Sequence, residues 1–298
     1  MILAGVFSKI AAFVPERMST MSRLLSCMDS LYLEVFPDAK IHEQLLSLPA
    51  GSHVGLTCSP KKGLQTTLDL MTQLHGSGLE LIPHVAARQV RDKAHLQDVL
   101  DQLHEQGVET LFVPGGDMAK PVGSYDSALA LLRDVAELGH SLRDIGIAAH
   151  PEGHPEASNE ALQQALLDKQ PLATYMVTQM CFNVPLMIDW LKGMRAAGVS
   201  LPVWFGLPGV MDRLKLFKTA LRIGVGESAR FARKQKSLTG ALLGASRYTP
   251  DDILMDVAPA LEDEALGIGG FYLFSFNQLE ETLAWRTQLL QDLKAKTA

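Results

Sequence analysis

Cysteine is scarce in this chain. The three present, Cys27, Cys58 and Cys181, show neither paired nor metal-like spacing. That excludes a disulfide framework and suits a reducing cytoplasm. Positive charge is never concentrated: no run of Lys and Arg reaches five residues, and the net charge is −6. A nucleic-acid or anionic-membrane surface is therefore not expected. No apolar run approaches a transmembrane length. The opening Met1-Ile2-Leu3-Ala4-Gly5-Val6-Phe7 is apolar but lacks the basic segment and cleavage site of a secretory leader. Residues 1–28 read instead as a helical extension lying on the domain. Several signatures are missing as well. No GxGxxG follows a strand and no GxxxxGK[ST] occurs, so a nucleotide here is not held by a Rossmann or P-loop device. HxH and HExxH spacings are absent, and no metal is expected. GxSxG is absent too, and Cys58 and Cys181 have no activating partner, which disfavours nucleophilic hydrolysis.

What the chain does have is one repeated unit. After residue 30 a short apolar run, a polar break and a helical period recur. The runs predict strands at 31–36, 52–57, 79–85, 110–114, 144–149, 173–178, 202–206 and 270–275. Helical stretches between them carry apolar residues at i, i+3 and i+4, as at Leu96, Val99, Leu100 and Leu103. Glycines such as Gly76, Gly78, Gly107 and Gly139 mark the joins. Eight strands alternating with helices in 298 residues, 47% of them hydrophobic, predict a (β/α)8 barrel forming one domain over 1–298. A doubly wound open sheet is the other arrangement this pattern allows. The stretch 207–268 is too long for one connection and predicts additional helices at 211–222, near 227–236 and at 251–265.

In a (β/α)8 barrel the chemistry gathers where strands end. Here polar residues begin where the apolar runs stop: Glu34 in Leu33-Glu34-Val35-Phe36-Pro37, Thr57 before Cys58, His84 after Pro83, and Gly115-Gly116-Asp117 after Pro114. Run five breaks into His150-Pro151-Glu152-Gly153-His154-Pro155-Glu156-Ala157, where two prolines forbid helix and hold two histidines at a strand end. Thr178-Gln179 closes run six, and Ser275-Phe276-Asn277-Gln278 closes run eight. Glu34, flanked by apolar residues, should be partly desolvated, which raises its pKa and suits a proton donor near neutral pH. A carboxylate bonded to backbone amides is its plainer reading. Asp117 after two glycines suits close approach to a flat ligand, or capping of the next helix. Gln179 offers a bidentate amide to a heteroaromatic edge, or a bond to a neighbouring loop. His84, His150 and His154 suit phosphate or ring contact better than metal.

Together these residues, from about 31 to 278, resemble the methylenetetrahydrofolate reductase family, flavin enzymes on a (β/α)8 barrel. Leu33-Glu34-Val35-Phe36-Pro37 is similar to its Phe-Glu-Phe-Phe-Pro strand, Leu56-Thr57 to its Val-Thr, Gly116-Asp117 to its Gly-Asp, and Pro151-Glu152-Gly153-His154-Pro155 to its Pro-Glu-x-His-Pro. Thr178-Gln179 and Phe274-Ser275-Phe276-Asn277 resemble its Thr-Gln and its closing Tyr-Thr-Leu-Asn. The resemblance implies an FAD-dependent oxidoreductase interconverting 5,10-methylenetetrahydrofolate and 5-methyltetrahydrofolate. It implies Glu34 and Asp117 as catalytic residues, and FAD held by Thr57, His84, Gly116, Asp117, His150, His154, Ala157 and Lys169. Folate would meet Gln179, Asn277 and Gln278. It further implies NAD(P)H or another electron donor and a homo-oligomer.

Departures accompany the likeness. Gly115 stands where the family has Arg, His150 where it has Tyr, and Gln278 where it has Arg. The segment before strand six is one residue short at Pro171-Leu172-Ala173. Fold, flavin and folate fit these changes better than NAD(P)H does. Two other functions therefore stay open: a folate-linked one-carbon catabolic enzyme working in the oxidative direction, and a flavin-free paralogue that binds folate or a partner, which Gly115 favours.

Overall fold

The computed structural model describes residues 20–222, 225 and 247–297. Its eight principal strands are β1 (Tyr32–Val35), β2 (His53–Leu56), β3 (Glu80–Pro83), β4 (Thr110–Val113), β5 (Asp144–Ala149), β6 (Tyr175–Thr178), β7 (Val203–Pro208) and β8 (Ile268–Phe274). They form one parallel sheet in the order β3-β2-β1-β8-β7-β6-β5-β4. The two edges meet just past β3, where His84 bridges to Phe112 and Val85 N–H donates to the Phe112 carbonyl at 2.9 Å. The sheet thus curls into the (β/α)8 barrel that the alternating pattern predicts, and the open-sheet alternative falls. All eight strands lie where the sequence places them, with ends displaced by at most two residues.

Period two decides what fills the barrel. On β8 the residues Tyr272 and Phe274 face the lumen, while Phe271 and Leu273 are fully buried against the helices. The same alternation puts Ile82, Phe112, Tyr175 and Val177 inside. Tyr32, Tyr175 and Trp204 pack edge and face at the N-terminal end of the lumen, with ring centroids 5.2 to 6.4 Å apart, and Tyr32 stacks on His53 at 4.4 Å. These rings leave the C-terminal end as the open one. The outward set, Leu33, Val35, Val54, Leu56, Leu111, Val113, Ile147 and Met176, is at most 1% exposed under the helical layer. Each such side chain contributes roughly 1.5–3 kcal/mol by leaving water.

Side-chain oxygens fix where helices begin. Asp92, Ser127, Ser158 and Asn183 each accept from a backbone N–H three residues on, starting helices Lys93–Glu105, Ala128–Leu138, Asn159–Lys169 and Val184–Ala196. Each cap is worth about 1 kcal/mol. Ser127 therefore caps the helix after β4, and the capping reading of Asp117 falls. Of the expected N-terminal extension, residues 20–29 are helical and bury Leu24, Cys27 and Met28. Arg286, on the last helix (Leu279–Thr297), donates to the Met28 and Asp29 carbonyls at 3.0 and 2.9 Å and closes that helix's end. The rest of the extension, 1–19, lies outside the described residues.

Between β7 and β8 the helix expected at 211–222 runs over Arg213–Arg222, preceded by a two-residue strand, Met211–Asp212, antiparallel to Arg247–Tyr248. The helix expected near 227–236 lies outside the described residues. The one expected at 251–265 is α-helical only over Asp251–Val257 and continues as short 3₁₀ turns. Pro259 is the reason: its ring excludes the preceding turn's carbonyl and it has no N–H to give.

Candidate functional site

At the centre of the open end lies Glu34, third residue of β1. Its backbone carbonyl accepts from the Ser275 hydroxyl at 2.5 Å and from Ser275 N–H at 3.2 Å, so the end of β8 fixes its main chain. The side chain faces the lumen and the residue is only 9% exposed. Burial pushes its carboxyl up to about 8, against the pull of a hydrogen bond from Tyr272. Glu34 therefore keeps its proton at neutral pH, the state a general acid needs.

His84 sits across the lumen, 5% exposed. Its N–H donates to the Leu56 carbonyl at 2.9 Å, its ring lies 4.7 Å from that of Phe112, and its Nε2 is 2.8 Å from the Tyr272 hydroxyl. Burial lowers its pKa to about 3, so the imidazole is neutral. Tyr272, which the strand-end reasoning passes over, stands between the acid and the histidine. It lies mid-strand, two residues before the closing motif, where an aromatic reads as core. Its lumen-facing register on β8 was the available signal.

Thr57 is 8% exposed, and its Oγ1 is buried without a hydrogen-bond partner. A buried hydroxyl left so costs about 1–3 kcal/mol unless something occupies the space beside it. Gly116 has φ +97°, a backbone that only glycine adopts freely, and a Cβ there would stand 3.1 Å from that of Ala86. The space beside Gly115 is open. Asp117 is exposed on the same loop.

A second group lies beyond β5. His150 is half-buried and edge-on to exposed His154, ring centroids 5.2 Å apart. Burial, then the charges of His154 and Lys169, take the His150 pKa down to about 4. His154 pairs with Ala157 through an antiparallel bridge. Lys169, last residue of its helix, points its Nζ to within 3.5 Å of the Ala148 carbonyl, and burial lowers its pKa to about 8. His150 and Lys169 line a cavity of about 400 Å³ between helices Asn159–Lys169 and Val184–Ala196, with Leu166, Trp190 and Met194 forming apolar walls. Neither the cavity nor Trp190 was legible from strand ends, because both depend on how two helices face each other.

The residues expected to contact folate lie just past β6 and β8. Gln179 Oε1 accepts from Met180 N–H at 2.8 Å, a bond inside its own segment rather than to a neighbouring loop. Asn277, at φ 58°, clamps the loop after β1: its Oδ1 accepts from Phe36 N–H at 2.7 Å, and its Nδ2 donates to the Phe36 carbonyl at 2.9 Å and to Asp38 at 2.5 Å. Gln278 is half-buried directly before the last helix. Among the described residues no group of three or more His, Cys, Asp or Glu is placed to hold a metal ion. No helix among them is long and apolar enough to cross a membrane.

Fold and site together define a (β/α)8-barrel enzyme with a buried, protonated acid at its open end. Residues 46–224 match the family described as methylenetetrahydrofolate reductase, more than half of the chain. The chain belongs to that family, one of oxidoreductases. Its relatives are distant. A 5,10-methylenetetrahydrofolate reductase of Pectobacterium carotovorum is 23% identical over 95% of this chain and 90% of its own length. That of Escherichia coli K12 is 25% identical over 70% of this chain and 69% of its own. Methylenetetrahydrofolate reductase 2 of Saccharomyces cerevisiae is 25% identical over 67% of this chain, which spans about a third (32%) of the yeast protein. Among solved structures, a chitinase from Rhizomucor miehei matches at a TM-score of 0.47 and 14% identity, over 89% of this chain and 99% of that one.

Proposed function

We propose that this protein is an FAD-dependent oxidoreductase interconverting 5,10-methylenetetrahydrofolate and 5-methyltetrahydrofolate, with Glu34 as the proton donor. The observation that carries this reading is the Glu34 carboxyl, buried at the open end and protonated up to about pH 8, in a chain of the methylenetetrahydrofolate reductase family. Glu34 holds a proton for the folate N10 as the methylene bridge opens to the N5 iminium. Asp117, exposed beside the positive-φ Gly116, supplies negative charge for that cation.

The residues present fit FAD. Thr57 has a buried hydroxyl with no partner, Gly115 has open space beside it, and the cavity beyond β5 combines apolar walls with the Lys169 ammonium and His150. Thr57, His84, Gly116, Asp117, His150, His154, Ala157 and Lys169 would hold it. FAD, when bound, supplies the two-electron redox chemistry that no side chain here offers. Folate is the partner in this reading, with NAD(P)H or another electron donor.

Two measurements test it. Protein saturated with FAD and desalted should retain a flavin spectrum; a colourless protein with no FAD binding by calorimetry refutes the reading and favours the flavin-free alternative. Glu34→Gln keeps the shape without the proton, so stopped-flow traces should show flavin reduction unchanged and folate turnover slowed ~10²–10⁴-fold. Equal slowing of both half-reactions would make Glu34 structural.

A further inference from the structure

We propose that Tyr272 is a positioning residue that couples the protonation of Glu34 to the tautomer of His84 across the barrel lumen. The inference rests on the proposed function only in treating Glu34 as the acid. The Tyr272 hydroxyl is 2.8 Å from His84 Nε2, and the buried Glu34 carboxyl feels it as a hydrogen-bond donor within the same lumen. Three strands supply the trio, and none of the three residues is more than 9% exposed. A fourth strand makes room for it. A Cβ at Gly55 on β2 would fall 2.1 Å from the Tyr272 oxygen and 3.2 Å from His84 Nε2. Gly55 is thus a notch that the hydroxyl fills.

One hydroxyl has one proton, and this fixes the logic. An ionised Glu34 can only accept, so Tyr272 donates to it. The Tyr272 oxygen must then accept from His84, which places the imidazole proton on Nε2. A protonated Glu34 can donate instead, which frees Tyr272 to donate to a bare Nε2 and allows the Nδ1–H form. Loss of the proton from Glu34 therefore turns two hydrogen bonds round and fixes the tautomer of a ring 188 residues away in sequence from Tyr272. Few other charges interfere. The further ionisable groups whose charge reaches this trio are Tyr175 on β6 and Tyr32 on β1, and no helix contributes one among the described residues.

The test uses the full chain labelled with ¹⁵N-histidine, without ligand or turnover. His84 is assigned by its loss in His84→Gln. Glu34 ionisation is followed by the infrared carboxyl band that disappears in Glu34→Gln. In the unsubstituted protein the His84 nitrogen shifts should move to the Nε2–H pattern with the same midpoint as Glu34, near pH 8. Tyr272→Phe should leave the tautomer constant from pH 6 to 9. It should also move the Glu34 midpoint upward by roughly one pH unit, because the carboxylate loses its donor. Gly55→Ala, which displaces the hydroxyl without removing it, should do the same. Should neither variant fold, Glu34→Gln decides: a constant tautomer supports the coupling, and a persisting pH step overturns it. A His84 signal that is flat through Glu34 ionisation, or that still follows it in Tyr272→Phe, also overturns it. A colourless, inactive protein with the tautomer step intact would remove the functional reading and leave the coupling standing.

Discussion

Glu34→Gln should make the protein more stable at alkaline pH, by an amount that the burial of the carboxyl sets. In the folded chain its pKa is about 8, against 4.5 when solvated. Below pH 4.5 both states carry the proton and the group has no pH-dependent effect. Between 4.5 and 8 the unfolded chain releases the proton and the folded chain keeps it. Stability therefore falls as pH rises, by about 1.4 kcal/mol per pH unit. The loss reaches about 3 kcal/mol at pH 7 and about 5 kcal/mol above pH 8, where it levels off. The glutamine never ionises and carries none of this loss. After roughly 1 kcal/mol for a poorer hydrogen bond to Tyr272, a net gain of about 3–4 kcal/mol remains at pH 8.5, and little or none at pH 5. Urea unfolding of both proteins at half-unit steps from pH 5 to 9, without ligand, measures the difference. His84 gives the opposite slope: its lowered pKa of about 3 makes stability fall as pH drops below 6.5. That contribution is common to both proteins and cancels. A difference flat across the range would mean that the Glu34 carboxyl is solvated in the folded state, and the reasoning for a stored proton would fail.

Two further substitutions separate structure from binding. Thr57→Val removes a buried hydroxyl that has no partner, so thermal stability of the ligand-free protein should be unchanged or raised by up to about 1 kcal/mol, while FAD affinity by calorimetry falls several-fold; a clear loss of stability would show the hydroxyl to be bonded within the protein. Asn277→Gly keeps the positive φ and loses the clamp on Phe36 and Asp38, whereas Asn277→Ala loses both, so urea melts should rank Ala below Gly by about 1 kcal/mol; equal values would mean the left-handed backbone carries no strain.

The barrel was legible because each strand is an apolar run broken by a polar or glycine residue, and because only the sheet's period separates lumen from helix layer. Its details were less so. The 251–265 stretch keeps a helical apolar pattern across Pro259, and the pattern alone says nothing about a missing N–H. Glu34 and His84 could be found since strand ends carry the chemistry in this architecture. Tyr272 could not be found by that rule, as it sits inside a strand and its partners come from β1 and β3. Asn277 was legible as a strand-end position, and its clamp on the loop after β1 was not. Its amide looks free in the sequence, and only the fold brings Phe36, 241 residues away, to both ends of it. Cavity walls such as Trp190 and Leu166 sit on two separate helices, and nothing in either helix alone records that the two faces stand apart.

The lumen stores a proton and no charge. Glu34 and His84 could neutralise each other as a carboxylate–imidazolium pair, and such a pair would pull the acid down and the histidine up. Burial drives both the other way, to about 8 and about 3, and the interposed Tyr272 is held protonated by the same burial. Each group is then neutral at pH 7. A carboxylate formed here by giving up its proton has one neutral donor to stabilise it and little water, so it takes the proton back readily. This suits an acid used once per turnover and reloaded. In the proposed reaction it also brings the strength of that acid close to neutral pH, where general-acid transfer is most effective. The Tyr272 bond lowers the Glu34 pKa from where burial alone would take it. Without that bond the proton would be held more tightly, and the same carboxyl would be a poorer donor in an otherwise intact barrel.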